Sequence, residues 1–226
     1  MYQLYIANKN YSSWSLRPWI LMTELGIAFD EELKFFSDHN WKTFRDFSPT
    51  GRVPCLVKDG VVVWDSLAIT EFLAEHHVAV WPQSVVARAW ARCAAAEMHS
   101  GFVNLREMCS MNCSIKVKLH ETPAALLKEL ARLDELWTEG LSKFGGPYLA
   151  GHEFTAVDAF YAPVALRIYG YGLELSPAAQ AYAERLLALP SMQAWISAGQ
   201  QEPRHEAHED DCLLYGTLIS DVRVSA

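Results

Sequence analysis

The absences in this sequence narrow its function before any motif is read. No stretch approaches ~18 consecutive apolar residues, so no membrane-spanning helix is expected and a membrane is not an expected partner. Basic residues are in deficit: 19 Lys and Arg face 27 Asp and Glu, for a formal net charge of -8 at pH 7. A chain of that sign is a poor general polyanion binder, so nucleic acid is not an expected partner either. The five cysteines are odd in number, and none forms CxxC. Cys109 and Cys113 stand four residues apart, a spacing that puts both on one face of a helix, but no second ligand pair follows at zinc-finger spacing. The thiols are therefore read as free, no metal is expected, and the expected compartment is the reducing cytoplasm. The opening MYQLYIANKN lacks a basic stretch followed by an apolar one, so no secretory leader is expected. There is no GxSxG elbow for a serine hydrolase, no internal repeat and no low-complexity segment.

What is present is enough for a folded chain. Of 226 residues, 51% are apolar and 20% charged, which supports a buried core without staples and argues against disorder. Residues 1–80 mix strand and helix signals. Tyr2–Ile6 is a short β-prone run. Ser12 and Ser13 open a helical stretch that carries Leu16, Trp19, Ile20 and Thr23 at helical spacing, with Gly26 just past its end. Phe29–Phe36 reads as a second strand. Val53–Val57 and Val61–Trp64 flank Lys58-Asp59-Gly60, a strong hairpin signal. Asp65-Ser66 then precedes an amphipathic helix. The order β-α-β, a loop with a short helical piece near Trp41–Phe47, then β-β-α is that of a thioredoxin-like domain.

Beyond Trp81-Pro82 the patterns are helical. We expect a linker over 81–86, an all-α second domain over 87–200 and a charged, weakly ordered tail over 201–226. Residues 84–113 are rich in Ala, Met and Arg and read as one long helical stretch. A leucine stripe from Leu126 to Leu141 follows Thr122-Pro123, and Thr155 with Asp158 three residues on resembles a capping box. In the tail, His205, Glu206, His208, Glu209, Asp210 and Asp211 read as a solvated surface rather than a metal site.

Three segments carry chemistry. Tyr11-Ser12-Ser13-Trp14-Ser15-Leu16-Arg17 places hydroxyls at a helix N-terminus, where unpaired N–H groups favour an anion such as a thiolate. Gly51-Arg52-Val53-Pro54 opens a strand; if the Val53-Pro54 bond is cis, the Val53 backbone points outward at a peptide-like ligand. Asp65-Ser66 at another helix N-terminus suits the zwitterionic end of an amino acid. Taken singly, both serine segments are read more simply as helix caps.

Together these segments resemble the cytosolic glutathione transferases, and the resemblance extends over nearly the whole chain. It rests on SSWSLRPW, SPTGRVPCLVKDG, WDSLAITEFLAE and FTAVDAFYAPV. The two-serine turn is most similar to the serine-type, zeta-like members. The resemblance implies an N-terminal thioredoxin-like domain followed by an all-helical C-terminal bundle, glutathione as co-substrate, no metal, a small electrophile as second substrate and a homodimer. It implies that Ser12, or Ser13 beside it, is the thiolate partner. It further implies that Val53, before a cis Pro54, pairs with the cysteinyl backbone, that Asp65 and Ser66 hold the γ-glutamyl end, and that Arg52 and His39 serve the glycyl end. The second substrate is expected between the domains, against Trp14, Arg106 and Met111. His99 and Arg106 are read equally as interface residues.

Two departures stand out. Trp14 occupies the position of the zeta-like cysteine, which counts against an isomerase acting on maleylacetoacetate-type substrates. Asp65 replaces the usual Gln or Glu. The expected activity is attack of the glutathione thiolate on an electrophile. A glutathione-dependent isomerase, a peroxidase and a non-catalytic binding module of the same fold are the rivals.

Overall fold

The computed structural model describes residues 1–37 and 39–223. The chain begins with β1 (Tyr2–Ile6), α1 (Ser13–Glu24) and β2 (Phe29–Leu33), followed by the single-turn α2 (Asn40–Phe44). It continues through β3 (Cys55–Lys58), β4 (Val61–Trp64) and α3 (Ser66–Ala74). The four strands form one sheet in the order β2-β1-β3-β4, with β1 and β2 parallel and the other pairs antiparallel. This is the thioredoxin-like arrangement that the order of elements predicts. The hairpin turns at Asp59 (φ +50°) and Gly60 (φ +83°), the two positive φ angles that favour Asp-Gly there. Gly26 sits just beyond the α1 C-cap at φ +63°.

The second half holds α4 (Val85–Ser100), α5 (Val103–Met108), β5 (Ile115–Leu119), α6 (Ala124–Phe144), α7 (Ala156–Tyr171), α8 (Pro177–Leu187), α9 (Pro190–Gln200), α10 (Glu206–Leu213) and β6 (Gly216–Asp221). α7 is the axis. All but one of its residues are buried, and it packs against α1, α4, α8 and β5. A helix apolar on every side belongs in the centre of a bundle. Its N-terminus carries the expected capping box, with the Asp158 carboxylate accepting from the Thr155 N–H and hydroxyl. One continuous apolar core runs from Leu4 and Ile20 in the sheet half to Trp137 and Trp195 in the helical half.

Three expectations need correction. The stretch after residue 84 is not one helix: Gly101 and Phe102 (φ +53°) break it into α4 and α5, so Cys109 caps α5, Cys113 lies in the following loop, and the two thiols share no helical face. The helical half also carries a two-stranded antiparallel ribbon, β5 with β6. Its strand Ile115–Leu119 alternates apolar and basic residues, and Ile115 and Val117 are buried. Finally, residues 206–221 are not a loose tail but α10 and β6. Arg223 fastens them, donating to Glu209 at 2.6 Å and 2.9 Å and to Asp221 at 2.9 Å, with its side chain only 7% exposed. Among the described residues, no helix is long and apolar enough to cross a membrane.

Candidate active site

The cleft begins at the loop between β1 and α1, which parts of the chain remote in sequence clamp in place. Glu202 accepts from the N–H groups of Lys9 and Asn10, at 2.9 Å and 3.1 Å. The Asn10 side-chain oxygen accepts from the Cys113 N–H and the Ser114 hydroxyl. Gly199 of α9 lies so close that a Cβ there would meet the Asn10 nitrogen at 2.8 Å. The Tyr11 hydroxyl donates to Glu209, and the ring stacks on His208 with centroids 5.0 Å apart. Burial and the Glu209 carboxylate raise the Tyr11 pKa. Burial works against the Glu209 charge, but Arg223 and the Tyr11 hydroxyl hold it below the usual glutamate range.

Ser12 is the N-cap of α1, yet its side chain caps nothing. Its hydroxyl donates to Ser15 Oγ at 2.7 Å, and Ser15 Oγ also accepts the Ala7 N–H. The Ser13 hydroxyl instead accepts from Arg167 Nη2 of α7, at 3.3 Å. Trp14 projects next, between two guanidinium groups and an imidazole. The Arg17 guanidinium lies 4.0 Å from the ring centroid, the Arg106 guanidinium 5.5 Å, and His99 meets it edge-on at 5.2 Å. Arg17 is buried and donates to Ser66 Oγ at 3.4 Å; burial, with Arg167 and Arg106 nearby, brings its pKa down to about 9.

Two adjoining cavities share Trp14, Arg52 and Val53. The first, about 560 Å³, adds Thr50, Pro54, Trp64, Asp65 and Ser66. The second, about 310 Å³, adds Tyr11, Ser12, Ser13, Phe36, Asn40 and His208 among others. The Val53-Pro54 peptide is cis. Among the described residues, no backbone hydrogen bond engages the Val53 N–H or C=O. Asp65 has φ +74°, and its carboxylate accepts the Leu67 N–H at 2.8 Å and faces His99 Nε2 at 3.5 Å. Burial lowers the His99 pKa, against the pull of Asp65.

Of the residues expected from sequence, Ser12, Ser13, Trp14, Arg52, Val53, Pro54, Asp65 and Ser66 all line these two cavities. Two do not. His39 is exposed at the N-cap of α2, and its neighbour Asn40 lines the cavity instead, because the first turn of α2 directs the next side chain inward. Met111 is buried in the core below the α5 C-terminus, where the helix break after Ser100 carries it. Arg106 is half-buried and approaches the cleft through the Trp14 ring. Sequence reading missed Arg167 and His208. Arg167 is the one basic residue of α7, whose other charged residue, Asp158, belongs to the capping box, and that lone arginine is the available signal. His208 lies in the segment read as solvated. Among the described residues, no group of three or more His, Cys, Asp or Glu is placed to hold a metal ion.

The chain is similar to known proteins in sequence and in fold. A family profile described as "Glutathione S-transferase, N-terminal domain" matches residues 11–76, the span from Tyr11 through α3. A "Probable maleylacetoacetate isomerase" of Caenorhabditis elegans is 26% identical over 183 residues, covering 77% of this chain and 82% of that protein. "Glutathione S-transferase 1" of Dianthus caryophyllus is 27% identical over 182 residues, covering 77% and 80%. A solved glutathione transferase homolog from Burkholderia GL BGR1, with bound glutathione, superposes with a TM-score of 0.66 at 25% identity, covering 89% of this chain and 99% of that one. The thioredoxin-like half, the helical half built on a capped central helix and these likenesses converge: residues 11–76 match the glutathione S-transferase N-terminal domain, and the chain as a whole is similar to glutathione transferases in sequence and fold.

Proposed function

We propose that the protein is a glutathione transferase that binds glutathione in the paired cavities and presents its thiolate to a small electrophile. One observation carries this reading: the serine turn, the free Val53 backbone before cis Pro54, and Asp65-Ser66 surround one cleft. In this reading Val53 pairs with the cysteinyl backbone of glutathione and Asp65 with its ammonium group. The Ser66 N–H serves the adjacent carboxylate, and Arg52 the glycyl carboxylate. A free thiol has a pKa near ~8.5 and is mostly protonated at neutral pH. The N-terminus of α1 and a serine O–H favour the anion, and each unit of pKa lowering requires ~1.4 kcal/mol. Holding the electrophile beside that thiolate adds proximity.

The second substrate is placed against Trp14 and His208, with Arg106 behind the indole. Glutathione-dependent isomerisation is the alternative that the named C. elegans relative favours. Trp14 at the position of the zeta-like cysteine weighs against it. We further read the protein as a cytoplasmic homodimer. The five free thiols support the compartment. A groove of about 540 Å³ lined by Val62, Val63, Trp64, Leu67 and Ala68, with Asp65 and Glu71 at its polar edge, supports the dimer.

The test is glutathione binding, followed by conjugation of a neutral aryl halide in parallel with isomerisation of a cis-enone diacid. Binding with conjugation supports the transferase, and turnover of the diacid alone supports the isomerase. A protein that does not bind glutathione overturns both.

A further inference from the structure

Ser12 and Ser13 both border the smaller cavity, and their sequence does not distinguish them. Their hydrogen bonds do. A hydroxyl has one proton to give. Ser12 gives its proton to Ser15 Oγ at 2.7 Å, in a site where Ser12 is only 6% exposed. Redirecting it to a ligand would break that short bond inside the protein and leave the buried Ser15 Oγ with only the longer Ala7 N–H contact at 3.3 Å. Ser13 is half-buried and faces the cavity. Its oxygen accepts from Arg167 Nη2 at 3.3 Å, and among the described residues no group accepts its proton.

Arg167 is built for this contact. Its other terminal nitrogen, Nη1, donates to the Pro163 carbonyl at 3.2 Å, one turn earlier on α7, which fixes the guanidinium. The side chain is buried, and Nε has no hydrogen-bond partner among the described residues. The titratable groups that act on it most strongly are Arg106, the thiols Cys109 and Cys212, and the Tyr171 phenol, none of them a carboxylate, and the nearby Arg17 adds a further positive charge. Burial pushes the Cys109 and Cys212 thiols up, to about 12 and about 11, so neither supplies a counter-charge at neutral pH. An unneutralised cation donating to Ser13 Oγ occupies a lone pair, polarises the O–H and leaves the proton aimed at solvent in the cavity.

We propose that Ser13, not Ser12, donates to the sulfur of bound glutathione, and that Arg167 is the positioning residue that turns the Ser13 proton toward it. This rests on the glutathione-binding reading above. Ser12 then acts on the other side of the turn, locking it through Ser15 and Ala7.

The experiment follows the ultraviolet absorbance of the thiolate of bound glutathione as pH is raised. Ser13→Ala should still bind glutathione but raise the bound thiol pKa by about one unit or more, a tenfold loss of thiolate per unit at a fixed pH below both values. Ser13→Thr should restore the lowered value, and Ser12→Ala should change it by less than half as much as Ser13→Ala does. Arg167→Met should raise the pKa in the presence of Ser13 but have little effect in the Ser13→Ala background, because its action runs through that oxygen. Arg167→Lys, which keeps the charge but not the fork, gives the same comparison if the Met variant does not fold. A shift lost in Ser12→Ala and kept in Ser13→Ala overturns the serine assignment. An Arg167 effect of equal size in both backgrounds overturns its positioning role. Wild-type protein that does not bind glutathione removes the functional reading and this assignment with it. Wild-type binding with a lowered pKa that Ser13→Ala leaves intact removes this assignment alone.

Discussion

Asp65 shows how one residue can serve structure and ligand at once, and how the two roles separate. Its backbone adopts φ +74°, a conformation that costs a non-glycine residue on the order of 1–3 kcal/mol. Its carboxylate recovers part of that by capping α3 through the Leu67 N–H. If capping were its whole purpose, glycine would serve nearly as well, since glycine relieves the backbone and costs only a few tenths of a kcal/mol as an N-cap. We therefore expect Asp65→Gly to unfold within about 1 kcal/mol of wild type by urea titration. The same variant should raise KM for glutathione about tenfold or more, by removing the partner of the ammonium group. Asp65→Asn, which keeps a capping oxygen but not the charge, should raise KM as well. A variant that loses stability and keeps KM would make Asp65 a cap only. The sequence made Asp65-Ser66 legible as an N-terminal helix pair because that signal is local. The polarity of Ser12 and Ser13 was not legible, because the donor that separates them lies 154 residues away.

Among the elements, α7 organises both halves, and its N-terminus holds a titratable group that ties its stability to pH. Asp158 is buried and accepts from the Leu149 and Thr155 N–H groups and from the Tyr182 and Thr155 hydroxyls. Burial outweighs these four donors and pushes its pKa up from 3.8 to about 6. The folded state therefore binds more protons than the unfolded state between those values. The contribution of this group to stability is greatest below pH 4 and declines as pH rises to 6, by on the order of 3 kcal/mol in total. Asp158→Asn should abolish that dependence. The gap in unfolding free energy between wild type and variant should be wider at pH 4 than at pH 6.5 by roughly that amount, measured by chemical denaturation at each pH. A constant gap would show that the four donors already cancel the cost of burial. The capping box and the Asp-Gly hairpin were legible because each fits within a few residues. The β5–β6 ribbon was not, although Ile115–Leu119 alternates as a strand should: its partner lies about 100 residues downstream, in a segment whose acidic run dominated the reading.

For the whole molecule, the last residues hold the first loop in place. Glu209 receives the Tyr11 hydroxyl and two nitrogens of Arg223, and Arg223 also grips Asp221 at the end of β6. His208, one residue before Glu209, stacks on both Tyr11 and Phe36 and so closes the smaller cavity beside the serines. The larger cavity, with Asp65 and Ser66, has no lining residue from this segment. The two cavities should therefore respond differently when the clasp is loosened. Arg223→Met removes a buried charge-assisted network and leaves Glu209 and Asp221 facing each other across the vacated guanidinium site, a change of the kind that costs a few kcal/mol. We expect the variant to bind glutathione with nearly wild-type affinity, since the γ-glutamyl and cysteinyl contacts lie outside α10. We expect it to accept bulkier electrophiles, with kcat/KM rising for a large aryl acceptor relative to a small one. Isothermal titration with glutathione and a paired-substrate assay measure the two effects separately. Loss of both together would mean that the clasp sets the whole β1–α1 loop, Ser12 and Ser13 included. Loss of neither would mean that α10 is held by its packing on Phe36 and the core contact of Cys212 without Arg223.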